Sequence, residues 1–216
     1  MIDNTKFVWT RVIGGIPLQF EDVATSNTVP FVFGEFEQDY YWLEQIQLSK
    51  EDIVIDVGAN VGMFSIYIKK KFGCKVIAFE PVPMNFKQFK KNIILNGLSL
   101  DDFELHNTAV TDVEGEIVRI GTPLDNTGGS STYDFNTNYS MCKTETLEKY
   151  ITKDCKYLKI DCEGSEYSII PSILHKINQF SYIGIEYHKF NEDQNPKVLH
   201  ETLRMNFNGE MFHADI

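Results

Sequence analysis

From Ile53 onward the chain alternates short β-branched runs with amphipathic segments, and this alternation constrains the fold more than any other feature. "IVIDV" (Ile53–Val57) has the composition of a strand buried on both faces. Val61, Phe64, Ser65, Ile68 and Phe72 then keep helical spacing, predicting a helix over residues 61–72. "KVIAFE" (residues 75–80) reads as a second buried strand. Pro83 suits the first turn of a helix whose inner face is Phe86, Phe89 and Ile93, and Asn96 and Gly97 stop it. "FELHNTAV" (residues 103–110) reads as a third strand and residues 116–120 as a short extra one. "TLEKYI" resumes a helix, "YLKIDC" (157–162) is a fourth strand and "YIGIEYH" (182–188) a fifth. Between those two, Ile170, Ile173, Leu174 and Ile177 make a helical face, restarted at Pro171. Strand–helix alternation implies an α/β fold with a doubly wound, mostly parallel, Rossmann-like sheet.

Residues 1–50 read as a small N-terminal appendage, hairpin material followed by a helix around residues 35–48. Residues 51–216 form the main globular unit. Residues 121–140 are rich in Gly, Ser, Thr and Asn, with too few apolar side chains to pack. A loop of that length in a compact domain points to a lid, with the glycines and serines at 128–131 as its hinge and Tyr133, Phe135 and Tyr139 able to stack on a sugar face.

The formal net charge is −11, from 31 acidic and 20 basic side chains. Such a surface repels phosphate backbones and argues against nucleic acid as a partner. Lys69, Lys70 and Lys71 fall at a predicted helix C-terminus, where they complement the helix dipole. Four cysteines without CxxC spacing read as free thiols in a reducing compartment, hence a cytoplasmic expectation. No leader pattern is visible at the N-terminus, and no apolar run reaches membrane-spanning length, so no membrane partner is expected.

In parallel sheets ligands bind outside the carboxyl ends of the strands. The first strand ends in Asp56, Gly58, Asn60 and Gly62, where glycine lets a ligand approach the main chain. The second ends in Glu80, about twenty positions after Gly58, a spacing suited to accepting hydrogen bonds from both ribose hydroxyls of a nucleoside. A dinucleotide fingerprint would read GxGxxG. Here Asn60 stands at the middle glycine, and neither Met63 nor Phe64 supplies the third. A nucleoside cofactor without a phosphate to cradle, S-adenosylmethionine, fits better, with Asp56 placed to face its sulfonium.

The stretches "VIDVGANVGMFS", "VIAFEPVPMNF", "LHNTAV", "LKIDCEGSE" and "IGIEYH" occur in that order between residues 52 and 188. Together they resemble FkbM-type S-adenosylmethionine-dependent methyltransferases. The resemblance implies cofactor contacts from Gly58, Asn60, Gly62 and Glu80, with Pro81 and the segment from Asn107 to Ala109 near the adenine. It also implies O-methylation of hydroxyls on sugars, polyketides and related small molecules. Only 28 residues follow His188, so the family's closing antiparallel strands are expected to be short or incomplete.

Methyl transfer to a hydroxyl needs the oxygen in line with the methyl carbon and sulfur, about 3 Å away, and a base or a metal to take its proton. Asp161 and Glu163 lie two apart on the fourth strand, and Glu186 and His188 two apart on the fifth. With those strands adjacent, Asp161, Glu186 and His188 form the expected catalytic set. His188 is the natural base, because its ordinary pKa of about 6.5 lies near neutrality. Carboxylates with one imidazole also suit Mg²⁺ or Mn²⁺, so a divalent cation stays open beside metal-free base catalysis. Glu166 reads as a helix-start residue complementing the dipole. A nucleotide-sugar acceptor would need Lys159, Arg119, a metal or basic residues near the N-terminus to offset the acidic surroundings. Two other readings remain: a nicotinamide oxidoreductase, which shares the Glu80 contact, and a non-catalytic methyltransferase-like binding module.

Overall fold

A computed structural model describes residues 5–122 and 138–214. The first strands, β1 (Lys6–Ile13) and β2 (Ile16–Val23), pair antiparallel. They turn through Gly14 and Gly15, both at positive φ, the backbone that a two-residue hairpin turn requires. Helix α1 follows at Thr28–Glu37. The helix expected around residues 35–48 therefore lies earlier. Asp39 and Trp42 adopt φ of 52° and 55°, which no right-handed helix can accommodate, so the chain beyond α1 runs as turns.

The central sheet is built from β3 (Ile53–Val57), β4 (Lys75–Phe79) and β5 (Phe103–His106), with α2 (Met63–Phe72) and α3 (Pro83–Leu95) between them. The expected third strand is split. After Asn107 and Thr108 the chain leaves the sheet, and β6 (Ala109–Thr111) pairs instead in a small separate sheet. That sheet has the order β6-β8-β7, from β7 (Ile117–Thr122) and β8 (Asn138–Thr146). Strand β8 was not expected, because its alternating polar residues sit beside the low-apolar segment. The predicted helix at "TLEKYI" is a single 3₁₀ turn, Leu147–Tyr150.

The chain then returns to the main sheet as β9 (Cys155–Ile160) and β10 (Tyr182–Glu186), and closes with β11 (Glu210–Ala214). Helix α4 (Glu166–Ile173) runs through Pro171 and tightens to 3₁₀ from Leu174, and α5 (Pro196–Asn206) precedes β11. The closing strand pairs parallel to β10, not antiparallel as expected, because α5 carries the chain back to the starting end of the sheet.

The sheet order is β11-β10-β9-β3-β4-β5, with every neighbouring pair parallel. Helices α2 and α3 cover one face and α4 and α5 the other, giving the doubly wound, Rossmann-like α/β fold. Along β3, Val54 faces the first layer while Ile55 and Val57 face the second. The hairpin and α1 share the first layer: Leu18, Phe20, Val29 and Phe33 are buried in one cluster with Ile66 and Ile68 of α2. Each such side chain contributes about 1.5–3 kcal/mol on burial, which fixes the N-terminal elements against α2. The chain runs from β3 outward to β5, then resumes on the opposite side at β9. That reversal opens a crevice at the carboxyl ends of β3 and β9.

The four cysteines, Cys74, Cys142, Cys155 and Cys162, are unpaired. Among the described residues no helix is long and apolar enough to cross a membrane. Most of the expected lid, including residues 128–131, Tyr133 and Phe135, lies outside the described residues. Tyr139 is exposed on β8, with the Arg119 guanidinium 3.9 Å from its ring centre.

Candidate active site

The crevice depends first on Gly58. Its φ is +81°, and a Cβ there would lie 1.7 Å from the carbonyl oxygen of Asp161. The carboxyl ends of β3 and β9 thus approach so closely that only glycine fits. The amides of Gly58 and Ala59 both donate to Phe79 O, at 3.0 and 2.9 Å, tying this turn to the end of β4. Asn60 takes φ 51°, tolerated because its own side chain accepts from Val61 N. In that conformation its amide donates to Glu80 Oε2 at 2.8 Å.

Glu80 is buried at the end of β4, and its second oxygen accepts from Val82 N at 2.7 Å. Burial pushes its pKa up to about 7, against the opposing pull of the two amides. The carboxylate is thereby aimed and immobilised by main-chain donors, with lone pairs left for a ligand. A cavity of about 430 Å³ opens beside it. Gly58, Asn60, Phe64, Glu80, Pro81 and Ala109 line it together with Lys159, Asp161, Glu163 and Glu186.

Three expected cofactor residues do not line this cavity. Gly62, at φ +88°, caps α2, and a Cβ there would lie 1.9 Å from the Phe89 ring; it serves helix packing. Asn107 donates to Glu80 O at 2.8 Å and Pro81 O at 3.1 Å, so it holds the strand end from behind. Asp56, expected beside a sulfonium, is fully buried within β3. It accepts from Ser65 Oγ at 2.6 Å and pairs with Lys159 Nζ at 3.5 Å. Asp56 thus meets the cavity through Lys159, its partner in register.

Lys159, expected only as a counter-charge for a nucleotide-sugar acceptor, is a buried cation in the cavity wall. Its Nζ donates to Gly58 O and Asp161 Oδ2, each at 3.1 Å. Burial works to strip its proton, but Asp161 and Asp56 outweigh that and hold its pKa above the ordinary lysine value. The signal was the two-residue spacing in "LKID", which puts Lys159 and Asp161 on one face of the strand.

The expected catalytic set does converge: ligating atoms of Asp161, Glu186 and His188 lie within 4.8 Å of one another. The charge state differs from expectation. His188 Nδ1 lies 2.9 Å from the buried Glu166 Oε1, and Nε2 lies 3.5 Å from Glu186 and 3.6 Å from Glu163. Burial disfavours its charge, yet Glu166, Glu186 and Glu163 together raise its pKa to about 11. His188 is therefore an imidazolium at neutral pH and not the base expected from its ordinary pKa. An imidazolium offers no lone pair to a cation, so the trio in this state is an ion-pair network. Glu166, expected to serve the helix dipole, is the buried carboxylate that orients His188.

Burial is the largest cause raising three acids to about 7, namely Glu80, Glu163 and Glu35 of α1. Their ordinary value is 4.5. In the folded chain each keeps its proton to higher pH than in the unfolded chain. Their contribution to stability is complete below the unfolded value and is lost as pH rises through 7. His188 acts in the same direction at higher pH. The thermal midpoint of the ligand-free protein is expected to fall by roughly 5–10 °C between pH 5.5 and pH 8, read by calorimetry. A midpoint that rises over this interval contradicts the buried acids.

The chain is similar to several known proteins. "Methyltransferase 1" of Beauveria bassiana (strain ARSEF 2860) is 26% identical over 145 residues, 56% of this chain and 57% of that protein. "31-O-demethyl-FK506 methyltransferase FkbM" of Streptomyces tacrolimicus is 36% identical over 73 residues, 33% of this chain and 28% of that protein. The chain thus spans little more than half of the first relative and under a third of the second. A solved structure, the SAM Dependent Methyltransferase from Agrobacterium tumefaciens, aligns with a TM-score of 0.44 at 9% identity, over 97% of this chain and 53% of that one. The family model described as "Methyltransferase FkbM domain" matches residues 56–213. Because that match opens inside β3 and closes inside β11, it takes in all six strands of the central sheet, and the chain belongs to the FkbM methyltransferase family.

Proposed function

We propose that the protein is an S-adenosylmethionine-dependent O-methyltransferase acting on a hydroxyl of a sugar, a nucleotide sugar or glycan, or a related small molecule. The observation that carries this reading is one cavity lined both by a nucleoside-type acid, Glu80, and by the Lys159–Asp161–Glu186 cluster. Its volume of about 430 Å³ suits a ligand of the cofactor's size. S-adenosylmethionine, when bound, supplies a methyl group activated by a positively charged sulfur. Glu80, aimed by Asn60 and Val82, accepts from the ribose hydroxyls. Pro81 and Ala109 form the apolar wall against the adenine. Asp161 and Glu186 accept from neighbouring hydroxyls of the acceptor and so orient its reacting oxygen. Lys159 fixes Asp161, and His188 fixes Glu186, so both are positioning residues.

Asp161→Asn tests this division of labour. It keeps an oxygen for Lys159 but lowers the charge beside the acceptor. Turnover is expected to fall about 10²-fold or more while S-adenosylmethionine affinity stays within about threefold. Near-normal turnover takes Asp161 out of the reaction. A cation is unnecessary in this reading, because His188 already offsets the carboxylates. Turnover is expected to survive EDTA unchanged; a loss that Mg²⁺ or Mn²⁺ restores contradicts it.

A further inference from the structure

Part of the wall of the cavity that holds Asp161 and Glu186 comes from α1 and the turn after it, outside the family match. Thr28, Phe31, Val32 and Glu35 face in from α1, and Tyr41 from the turn. Glu35 Oε2 accepts from Tyr41 Oη at 2.9 Å. Tyr41 is itself fixed from three sides. Its ring packs on Phe64 of α2 and Phe36 of α1, with centroids 5.2 and 5.8 Å apart, and its carbonyl accepts from Tyr157 Oη at 3.2 Å. A second, smaller cavity adjoins the first, and Glu35, Tyr41, Lys159, Asp161 and Glu186 line both. Glu35 thus stands where the two spaces meet.

The other carboxylates at this end are each countered by a cation. Asp161 accepts from Lys159 at 3.1 Å, while Glu186 and Glu163 lie 3.5 and 3.6 Å from His188. Glu35 has a phenol as its hydrogen-bond partner, and that phenol keeps its proton because burial and Glu35 both raise its pKa. Burial sets the Glu35 pKa at about 7. Asp161 and Glu186 add to the rise, and the Tyr41 hydrogen bond and Lys159 oppose it. A carboxylate poised near the working pH is suited to collecting a proton from an attacking hydroxyl.

We propose that Glu35, held by Tyr41, is the general base for the acceptor hydroxyl, an assignment that rests on the methyl-transfer reading above. The acceptor oxygen bonds to the methyl carbon, the carbon–sulfur bond breaks with its electron pair going to sulfur, and the hydroxyl proton passes to the Glu35 carboxylate. The N-terminal segment then supplies part of the chemistry as well as part of the wall.

The experiment compares wild type, Glu35→Gln, Glu35→Asp and Tyr41→Phe. Each is titrated with S-adenosylmethionine by calorimetry and assayed with methyl-labelled cofactor on methyl glycosides of the common hexoses. Glu35→Gln is expected to bind the cofactor within about threefold of wild type and to lose 10²–10⁴-fold in turnover. Glu35→Asp recovers part of that loss. Tyr41→Phe removes a hydrogen bond that favours the ionised carboxylate, so the acid limb of its pH–turnover profile moves to higher pH. Independently of turnover, the infrared difference between wild type and Glu35→Gln in the ligand-free protein shows a carboxyl titrating near pH 7. Turnover of Glu35→Gln within threefold of wild type, or that carboxyl titrating below about pH 5, overturns the role of Glu35 and leaves methyl transfer standing. Wild type that binds no S-adenosylmethionine overturns both.

Discussion

Gly58→Ala is expected to lower stability by about 2–5 kcal/mol and to abolish cofactor binding. The left-handed backbone at φ +81° costs an alanine about 1–2 kcal/mol. The larger effect is steric. The new Cβ would stand 1.7 Å from the Asp161 carbonyl oxygen and 2.8 Å from its carbon. Those are main-chain atoms at a strand end and cannot swing aside, so β3 and β9 must separate at the crevice. Overpacking of this kind adds about 1–3 kcal/mol, and the thermal midpoint should drop by roughly 10 °C. Gly73→Ala isolates the first component. Gly73 has φ +75° at the end of α2, and its nearest neighbour, Lys50 Cβ, would be 3.8 Å away. It should cost only the conformational part and leave cofactor binding intact. Equal damage from the two substitutions would mean that the approach of β3 to β9 does not shape the site.

Glu80→Ala is expected to weaken S-adenosylmethionine binding by about 100-fold or more, with a smaller effect on saturated turnover. Hydrogen bonds to a charged group are worth about 1.5–3 kcal/mol each, and the substitution removes the ribose acceptor while stranding the amides of Asn60 and Val82. Because burial holds Glu80 at about 7 in the ligand-free protein, its ionised, accepting form grows as pH rises through neutrality. Wild-type affinity should therefore increase from pH 6 to pH 8, and Glu80→Gln should lose that dependence. An affinity unchanged in Glu80→Ala removes the ribose role.

The alternation of β-branched runs with amphipathic helices made the sheet and its site-bearing end legible, since burial on both faces leaves a clear compositional trace at β3, β4, β9 and β10. Glu80 was legible for the same reason, as an acid that ends a strand at nucleoside spacing. The two glycines were found but their causes were not. Gly58 is required by the Asp161 carbonyl and Gly62 by the Phe89 ring, long-range contacts that no local pattern encodes. The charge on His188 was also hidden. Its ordinary pKa points to a base, and only the convergence of Glu163, Glu166 and Glu186 from other elements keeps it protonated. Glu35 and Tyr41 escaped because they lie far from the strand ends in sequence and reach the cavity only through the packing of α1 on α2. Strand β8 escaped because it is short of apolar residues and pairs in a small sheet whose other strands, β6 and β7, both lie on the far side of the polar segment.

The central claim is that Glu80 and Asp161 address the two ends of one bound S-adenosyl ligand. A crystal structure of the protein soaked with S-adenosylhomocysteine tests it most directly. The expected density puts both ribose hydroxyls on the Glu80 carboxylate and the sulfur toward Asp161 and Glu186. A nucleoside lodged away from Glu80, or a sulfur directed away from Asp161 and Glu186, contradicts it.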